Sequence, residues 1–267
     1  MAAGPTTAEK RGTGRSRGPS GRPPRPEGRS GLLRSSVLRL SLIAAGVLLL
    51  AGGTVWALYG SSWFRVERVK TSGTGVLTRA QVESVAAVPV GAPLVTVDTG
   101  AIETRLRDEL PRIASIEVER SWPHEITLKV TERKPVLLME KDGRFVEVDA
   151  TAVPFATVTA PPPGVPRLVL DAAASPSLRR FDADRLLAEA VRVRGELPDA
   201  IAKDTRVVRL SSYDSVTLEL ARGRTVFWGS AEHGPVKARV LTALMKATPK
   251  AGHFDVSAPS APASSGS

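Results

Sequence analysis

The chain has 267 residues, 42% of them apolar and 24% charged, enough for one large or two small globular domains once any tail or membrane segment is set aside. A formal net charge of +10 would point to nucleic acid if it covered a folded surface. It does not, because residues 1–39 hold nine Lys or Arg against Glu9 and Glu27, or +7, which leaves +3 for all that follows. The absence of cysteine excludes a disulfide framework and thiol chemistry, and agrees with an exported domain.

Residues 1–36 are rich in Pro, Gly, Ser and Arg, with almost no large apolar side chain before Leu32. Such a segment cannot bury enough surface to offset its ordering entropy, so a disordered basic tail is expected over 1–39. From Leu40 to Tyr59 the chain carries no charge, and at ~1.5 Å per residue it spans the hydrocarbon of a bilayer, which predicts one transmembrane helix over 40–60. Ala51 and Gly53 would suit a signal peptidase, but the apolar run outlasts the usual h-region of about 7–15 residues and continues past that site. Arg34 and Arg39 precede the run, while Trp56, Tyr59 and Trp63 gather at its other end. The positive-inside rule then puts the N-terminus in the cytoplasm and everything after the span outside, a single-pass type II arrangement.

Past the span, Phe64, Val66 and Val69 predict a short irregular strand before a turn at Ser72-Gly73. Thr78 and Gln81 have capping-box spacing and open a helix through Val82, Val85 and Ala86. Asp98 or Thr99 caps a second helix with Ile102, Leu106 and Leu110 on one face, ended by Pro111. Ile116 and Val118, then Ile126, Leu128 and Val130, alternate with polar residues and predict two strands joined around Trp122-Pro123. The result is a β-α-α-β-β unit with two helices over a three-stranded sheet.

Beyond Pro135 the pattern is of short strands and turns: Val136 to Met139, the Asp142-Gly143 turn, Phe145 to Val148, Val153 to Val158 and Leu168 to Leu170. A helix follows over about 183–197. Then come Val207 to Leu210, Val216 to Leu220 and Thr225 to Trp228, and a last helix with Val236, Val240 and Leu244 on its apolar face and Lys237, Arg239 and Lys246 elsewhere. A final strand is expected from His253 to Ser257, and the Ser, Ala and Pro tail over 259–267 reads as disordered.

A membrane span followed at once by WFRVERVKTSG, a helical segment and PRIASIEVERSWPHEITLKVTERKPV resembles the start of the FtsQ/DivIB family of divisome proteins, whose first external domain is a POTRA domain. GRTVFWG and GHFDVS resemble stretches of the FtsQ β-domain. The resemblance implies an α+β chain, with POTRA over 64–133 and a β-rich domain with helices on one side over 134–258. It further implies a scaffold at the division septum that docks FtsB/DivIC-like and FtsL-like membrane proteins and, through them, the septal wall-synthesis complex. No cofactor is implied.

Nothing in the sequence assembles an active site. His124, His233 and His253 lie far apart, no zinc-binding or phosphate-binding motif is present, and Ser230 near His233 reads as a helix cap rather than a nucleophile. The alternative, a membrane-anchored cell-wall enzyme or wall-binding protein, would require a carboxylate pair in a cleft or an activated serine. A docking module instead needs an unpaired surface, and a terminal strand leaves backbone N–H and C=O groups open to an extended peptide. Phe254 and Val256 would face the core, with His253, Asp255 and Ser257 pointing out beside that open edge. The resemblance extends the partner site to Lys237 and Arg239, and makes Arg120, Trp122, Glu132, Arg133 and Lys134 candidate contacts of the POTRA part with other membrane division proteins.

Overall fold

The computed structural model describes residues 30–171 and 183–266. The disorder expected of residues 1–29 lies outside them. Helix α1 runs from Ser30 to Gly60, and its stretch Val37–Gly60 is long and apolar enough to cross a membrane. It begins earlier than the uncharged run predicts, so residues 30–39 are helical rather than disordered. Leu32, Leu33, Val37 and Leu38 are tolerated in a helix, and extending one costs far less than nucleating it.

After α1, a short 3-10 turn over Ser62–Phe64 replaces the start of the predicted first strand, and Arg65 bridges to Pro93. Strand β1 (Arg68–Ser72) follows, then α2 (Arg79–Ala86) and α3 (Thr99–Glu109). Thr78 and Gln81 close a capping box on α2, and the Asp98 carboxylate accepts from Ala101 N at 3.0 Å at the start of α3. Strands β2 (Ile113–Ser121) and β3 (Glu125–Glu132) pair antiparallel, and β1 lies parallel to β3, giving the order β1-β3-β2. One core holds this unit together, with Val82, Ala86, Ile102 and Leu106 from the helices against Ile116, Val118, Ile126, Leu128 and Val130 from the sheet. Burial of side chains of this size stabilises by about 1.5–3 kcal/mol each.

The remaining strands are β4 (Leu137–Lys141), β5 (Arg144–Val148), β6 (Pro154–Val158), β7 (Arg167–Leu170), β8 (Thr205–Ser212), β9 (Ser215–Leu220), β10 (Thr225–Gly229), β11 (His253–Asp255) and β12 (Ala263–Ser265). They form one mixed nine-stranded sheet in the order β12-β11-β10-β9-β8-β7-β4-β5-β6. Helices α4 (Ala183–Glu196), α5 (Asp199–Asp204) and α6 (Gly234–Ala247) accompany it, and Leu186, Ala190, Val193 and Leu241 join Val208, Leu218, Trp228 and Phe254 in a second core.

Two expectations fail here. The tail over 259–267 is not structureless, because Ala263–Ser265 pairs antiparallel with β11. An open strand edge accepts any extended backbone within reach, whatever its side chains, and a loop of a few residues keeps this one close. The face of α6 is partly rotated: Gly234, Lys237, Ala238 and Leu241 are buried, Val240 and Leu244 pack partly buried against the core as expected, and Val236 is exposed. The spacing i, i+3, i+4, i+7 suits a helix seated close to its neighbour through small residues, and it overrides the more apolar Val236.

Candidate docking surface

The C-terminal end of the large sheet is built around Gly229 and Asp255. Gly229 has φ +76°, and a Cβ there would fall 2.9 Å from the Ser257 Cβ, so only glycine lets β10 end beneath the passing chain. β11 lies parallel to β10 (Thr225↔His253, Val226↔Phe254, Phe227↔Asp255), and Val256 N continues the pairing by donating to Phe227 O at 3.0 Å. Asp255 then turns the chain: its Oδ1 accepts from Ser257 N at 2.9 Å and from Ser257 Oγ at 2.7 Å.

Phe254 and Val256 are buried, whereas His253 and Asp255 are exposed and Ser257 is half-buried. His253 Nδ1 meets Thr225 Oγ1 at 2.6 Å, which orients the imidazole along the sheet surface. The expectation that β11 is the open edge is corrected, since β11 is flanked by β10 on one side and β12 on the other. The edge itself is β12. Its register pairs His253 with Ser265, Phe254 with Ser264 and Asp255 with Ala263, and Gly252 N donates to Gly266 O at 3.1 Å. Antiparallel pairs alternate between bonded and non-bonded, and because the Gly252 carbonyl, Phe254 and the Val256 N–H turn to β10, the bonded pairs with β12 are His253–Ser265 and Asp255–Ala263, which leaves the N–H and C=O of Ser264 pointing away from β11.

Hollows lie beside β12. One, of about 340 Å³, is lined by Thr217, Thr225, Phe227, His253, Asp255 and Ser264. Another, of about 600 Å³, is bounded by Thr248, Lys250, Ser265 and Gly266. Phe227 escaped the sequence reading, although an aromatic between the buried Val226 and Trp228 sits at the outward position of the strand alternation and is the signal that could have found it. β12 carried no such signal, because Ala263-Ser264-Ser265 shows neither apolar alternation nor β-branching.

Other candidates are not brought together with this edge. Lys237, expected on the surface, is only 1% exposed, and its Nζ donates to Ser230 O at 2.8 Å. Burial lowers its pKa, opposed by the charges of Glu196 and Glu232. Burial likewise raises the Glu196 pKa against the pull of Arg192. Arg239 is exposed on α6 and lines a separate hollow of about 310 Å³ with Pro198, Thr242 and Lys246. Ser230 is not the cap of α6; His233 holds that position with φ 57°.

In the three-stranded unit, Arg120, Glu132 and Arg133 serve the fold. Arg120 Nη2 donates to Val97 O at 2.6 Å. Glu132 accepts from the backbone N–H of Gly75, Val76 and Leu77 at 2.7–2.9 Å. Its partial burial pushes the carboxyl up, but those three donors, aided by Arg112, outweigh it and hold the group below the usual carboxylate range. Arg133 pairs with Asp149 and donates through Nε to Pro111 O at 3.0 Å. Trp122 and Lys134 are exposed. Among the described residues, no three His, Cys, Asp or Glu side chains converge on a point that could hold a metal ion.

A protein-family model described as POTRA domain, FtsQ-type, matches residues 64–133. "Cell division protein FtsQ" of Streptomyces venezuelae is 72% identical over 271 residues, covering 100% of this chain and 100% of its own. The protein of the same name from Streptomyces coelicolor is 59% identical over 270 residues, covering 99% of this chain and 100% of its own. The solved major extracytoplasmic domain of the cell division protein DivIB from Geobacillus stearothermophilus aligns with 45% of this chain and 96% of its own at 16% identity, with a TM-score of 0.33. On the full-length Streptomyces relatives and the FtsQ-type module, this chain belongs to the FtsQ/DivIB family of cell-division proteins.

Proposed function

We propose that this protein is a single-pass divisome scaffold that works by docking and not by turnover. Its basic tail lies in the cytoplasm, α1 crosses the membrane, and the POTRA and β-rich regions stand outside at the septum, where they recruit an FtsB/DivIC-like chain paired with an FtsL-like one. Arg34 and Arg39 before the apolar stretch support this orientation.

One observation carries the docking reading: the nine-stranded sheet ends in a strand of three small residues in which the backbone N–H and C=O of Ser264 face outward. An incoming extended segment satisfies those groups by adding a tenth strand, and its side chains fall alternately toward the hollows on either face. Phe227, His253 and Asp255 offer it an aromatic, an imidazole and a carboxylate beside the edge. Phe254, Val256 and Ser257 hold β11 in place beneath β12, and the septal wall-synthesis complex is reached through the recruited pair. Lys237 contributes by fixing α6, and Arg239 adds positive charge farther along it.

The test is capture of the FtsB/DivIC-like partner by the full membrane-bound chain carrying Ser264→Pro. Proline removes the outward donor while sparing the pairing to β11, which uses Ala263 and Ser265. Loss of capture with an unchanged melting temperature is expected. Undiminished capture would sink strand addition at β12.

A further inference from the structure

The POTRA unit leaves four large apolar side chains open to solvent, Trp63, Val76, Val90 and Trp122, and three of them gather at one end. Phe64 and Trp122 stack edge-to-face with ring centroids 5.6 Å apart, which fixes the β2–β3 turn against the segment that leaves α1. The loop carrying Val90 is tied to the same segment: Gly91 N donates to Val66 O at 2.8 Å, Arg65 Nη1 donates to Gly91 O at 2.8 Å, and Val66 N donates to Ala92 O at 2.9 Å. Three stretches distant in sequence thus converge. They present Trp63 at 80%, Val90 at 67% and Trp122 at 51% exposure. Val76 lies near Glu132, at the far end of β3 from this turn.

What covers this patch follows from the chain itself. Gly60 ends the apolar helix, and three residues, Ser61, Ser62 and Trp63, separate it from Phe64, a reach of at most ~14 Å if extended and less here because Ser62–Phe64 is a 3-10 turn. The polar headgroup layers add about 10–15 Å to the hydrocarbon core in total, or about 5–8 Å on each side, so a linker this short and wound keeps Trp63 at that layer. Trp and Tyr concentrate there because their rings are apolar and their N–H or O–H groups need water or lipid oxygens. Arg65 and Arg68 flank the patch with positive charge, Arg65 Nη1 held on Gly91 O and Arg68 meeting His124 Nε2 at 2.6 Å and Glu125 at 4.0 Å.

We propose that Trp63, Val90 and Trp122 form a lipid-seated foot: the β2–β3 turn rests in the headgroup layer of the membrane that α1 crosses, and so sets how the POTRA unit stands on the bilayer. This rests on the reading of α1 as a membrane span. The foot fixes the direction in which the rest of the molecule projects, with no other protein required.

The test is quenching of tryptophan emission by phosphatidylcholine brominated at shallow acyl positions, with the full chain reconstituted in vesicles containing no other protein. The chain has four tryptophans, of which Trp228 is buried in the second core and serves as an unquenched background. Trp63→Phe/Trp122→Phe leaves Trp56 as the reporter of the span, and Trp56→Phe/Trp63→Phe leaves Trp122 as the reporter of the foot. Loss of emission in both variants is expected, together with poor quenching of Trp122 by aqueous acrylamide. Quenching of Trp56 without Trp122 overturns the foot while leaving the span intact, including the case in which Trp122 is shielded only after partner proteins are added. Failure to quench Trp56 overturns the span and the foot with it.

Discussion

Arg112, in the turn before β2, brings a guanidinium nitrogen to 2.6 Å from Glu147 Oε2 on β5, with the two side chains only 14% and 5% exposed. Glu147 Oε2 accepts no aligned hydrogen bond, so this is a contact of charges. The Phe155 ring lies 5.2 Å from the same guanidinium, and Arg133 pairs with Asp149 nearby, so the junction of the two sheets is held by two largely buried ion pairs. Removing one member of such a pair strands the other charge. Arg112→Ala is therefore expected to cost about 3 kcal/mol, a drop of about 6–12 °C in the melting temperature of the full chain in detergent. Arg112→Met with Glu147→Leu should recover much of that loss, and additive losses would show that the charges are not coupled.

The same junction predicts weakening in acid. Burial pushes the Asp149 carboxyl up, but the Val153 N–H, the Thr151 hydroxyl and N–H and the Arg133 guanidinium outweigh it and hold it below its ordinary value; Glu132 is lowered likewise. A depressed folded pKa stabilises the protein above the ordinary carboxylate range of about 4, and that stability is lost as pH falls through the depressed value. Melting temperature should thus fall below about pH 4, and Asp149→Asn should flatten this slope while lowering stability at neutral pH. An identical slope in the variant would remove Asp149 from the cause.

Lys237→Met separates a structural cation from a docking one. The Nζ serves Ser230 O and stands against Glu196 and Glu232 from inside the fold. The variant is expected to lose about 1–3 kcal/mol and to regain part of it with Glu196→Gln, while capturing the partner normally at temperatures where it is folded. Loss of capture by a folded variant would return Lys237 to the docking surface.

Gly73→Ala tests the chain reversal after β1. At φ +82°, a Cβ would sit 1.9 Å from the Val130 carbonyl oxygen, a backbone atom that cannot turn aside. A loss of about 2–4 kcal/mol is expected, read as a lower melting temperature. Gly91→Ala, at φ +86° but with nothing within 4 Å, should cost less.

The POTRA unit was legible because its signals are local. Thr78 with Gln81, Asp98, the Ile102-Leu106 spacing and the alternation through Ile126, Leu128 and Val130 each depend on neighbours a few residues away. What escaped depends on tertiary contact. β12 is a strand only because β11 offers an edge, the burial of Lys237 follows from how closely α6 seats, and α5 occupies a stretch after Pro198 that reads as a plain stop. Of the docking surface, the burial of Phe254 and Val256 and the exposure of His253 and Asp255 could be read from alternation, but the identity of the edge could not.

The most direct measurement is amide hydrogen exchange at Ser264 in the membrane-reconstituted chain, with and without the FtsB/DivIC-like partner. Slow exchange at this position only when the partner is bound, with Phe227 and His253 also perturbed, is the predicted result. A partner that binds fully while that amide exchanges as fast as in the free chain would contradict docking by backbone pairing at the end of the sheet.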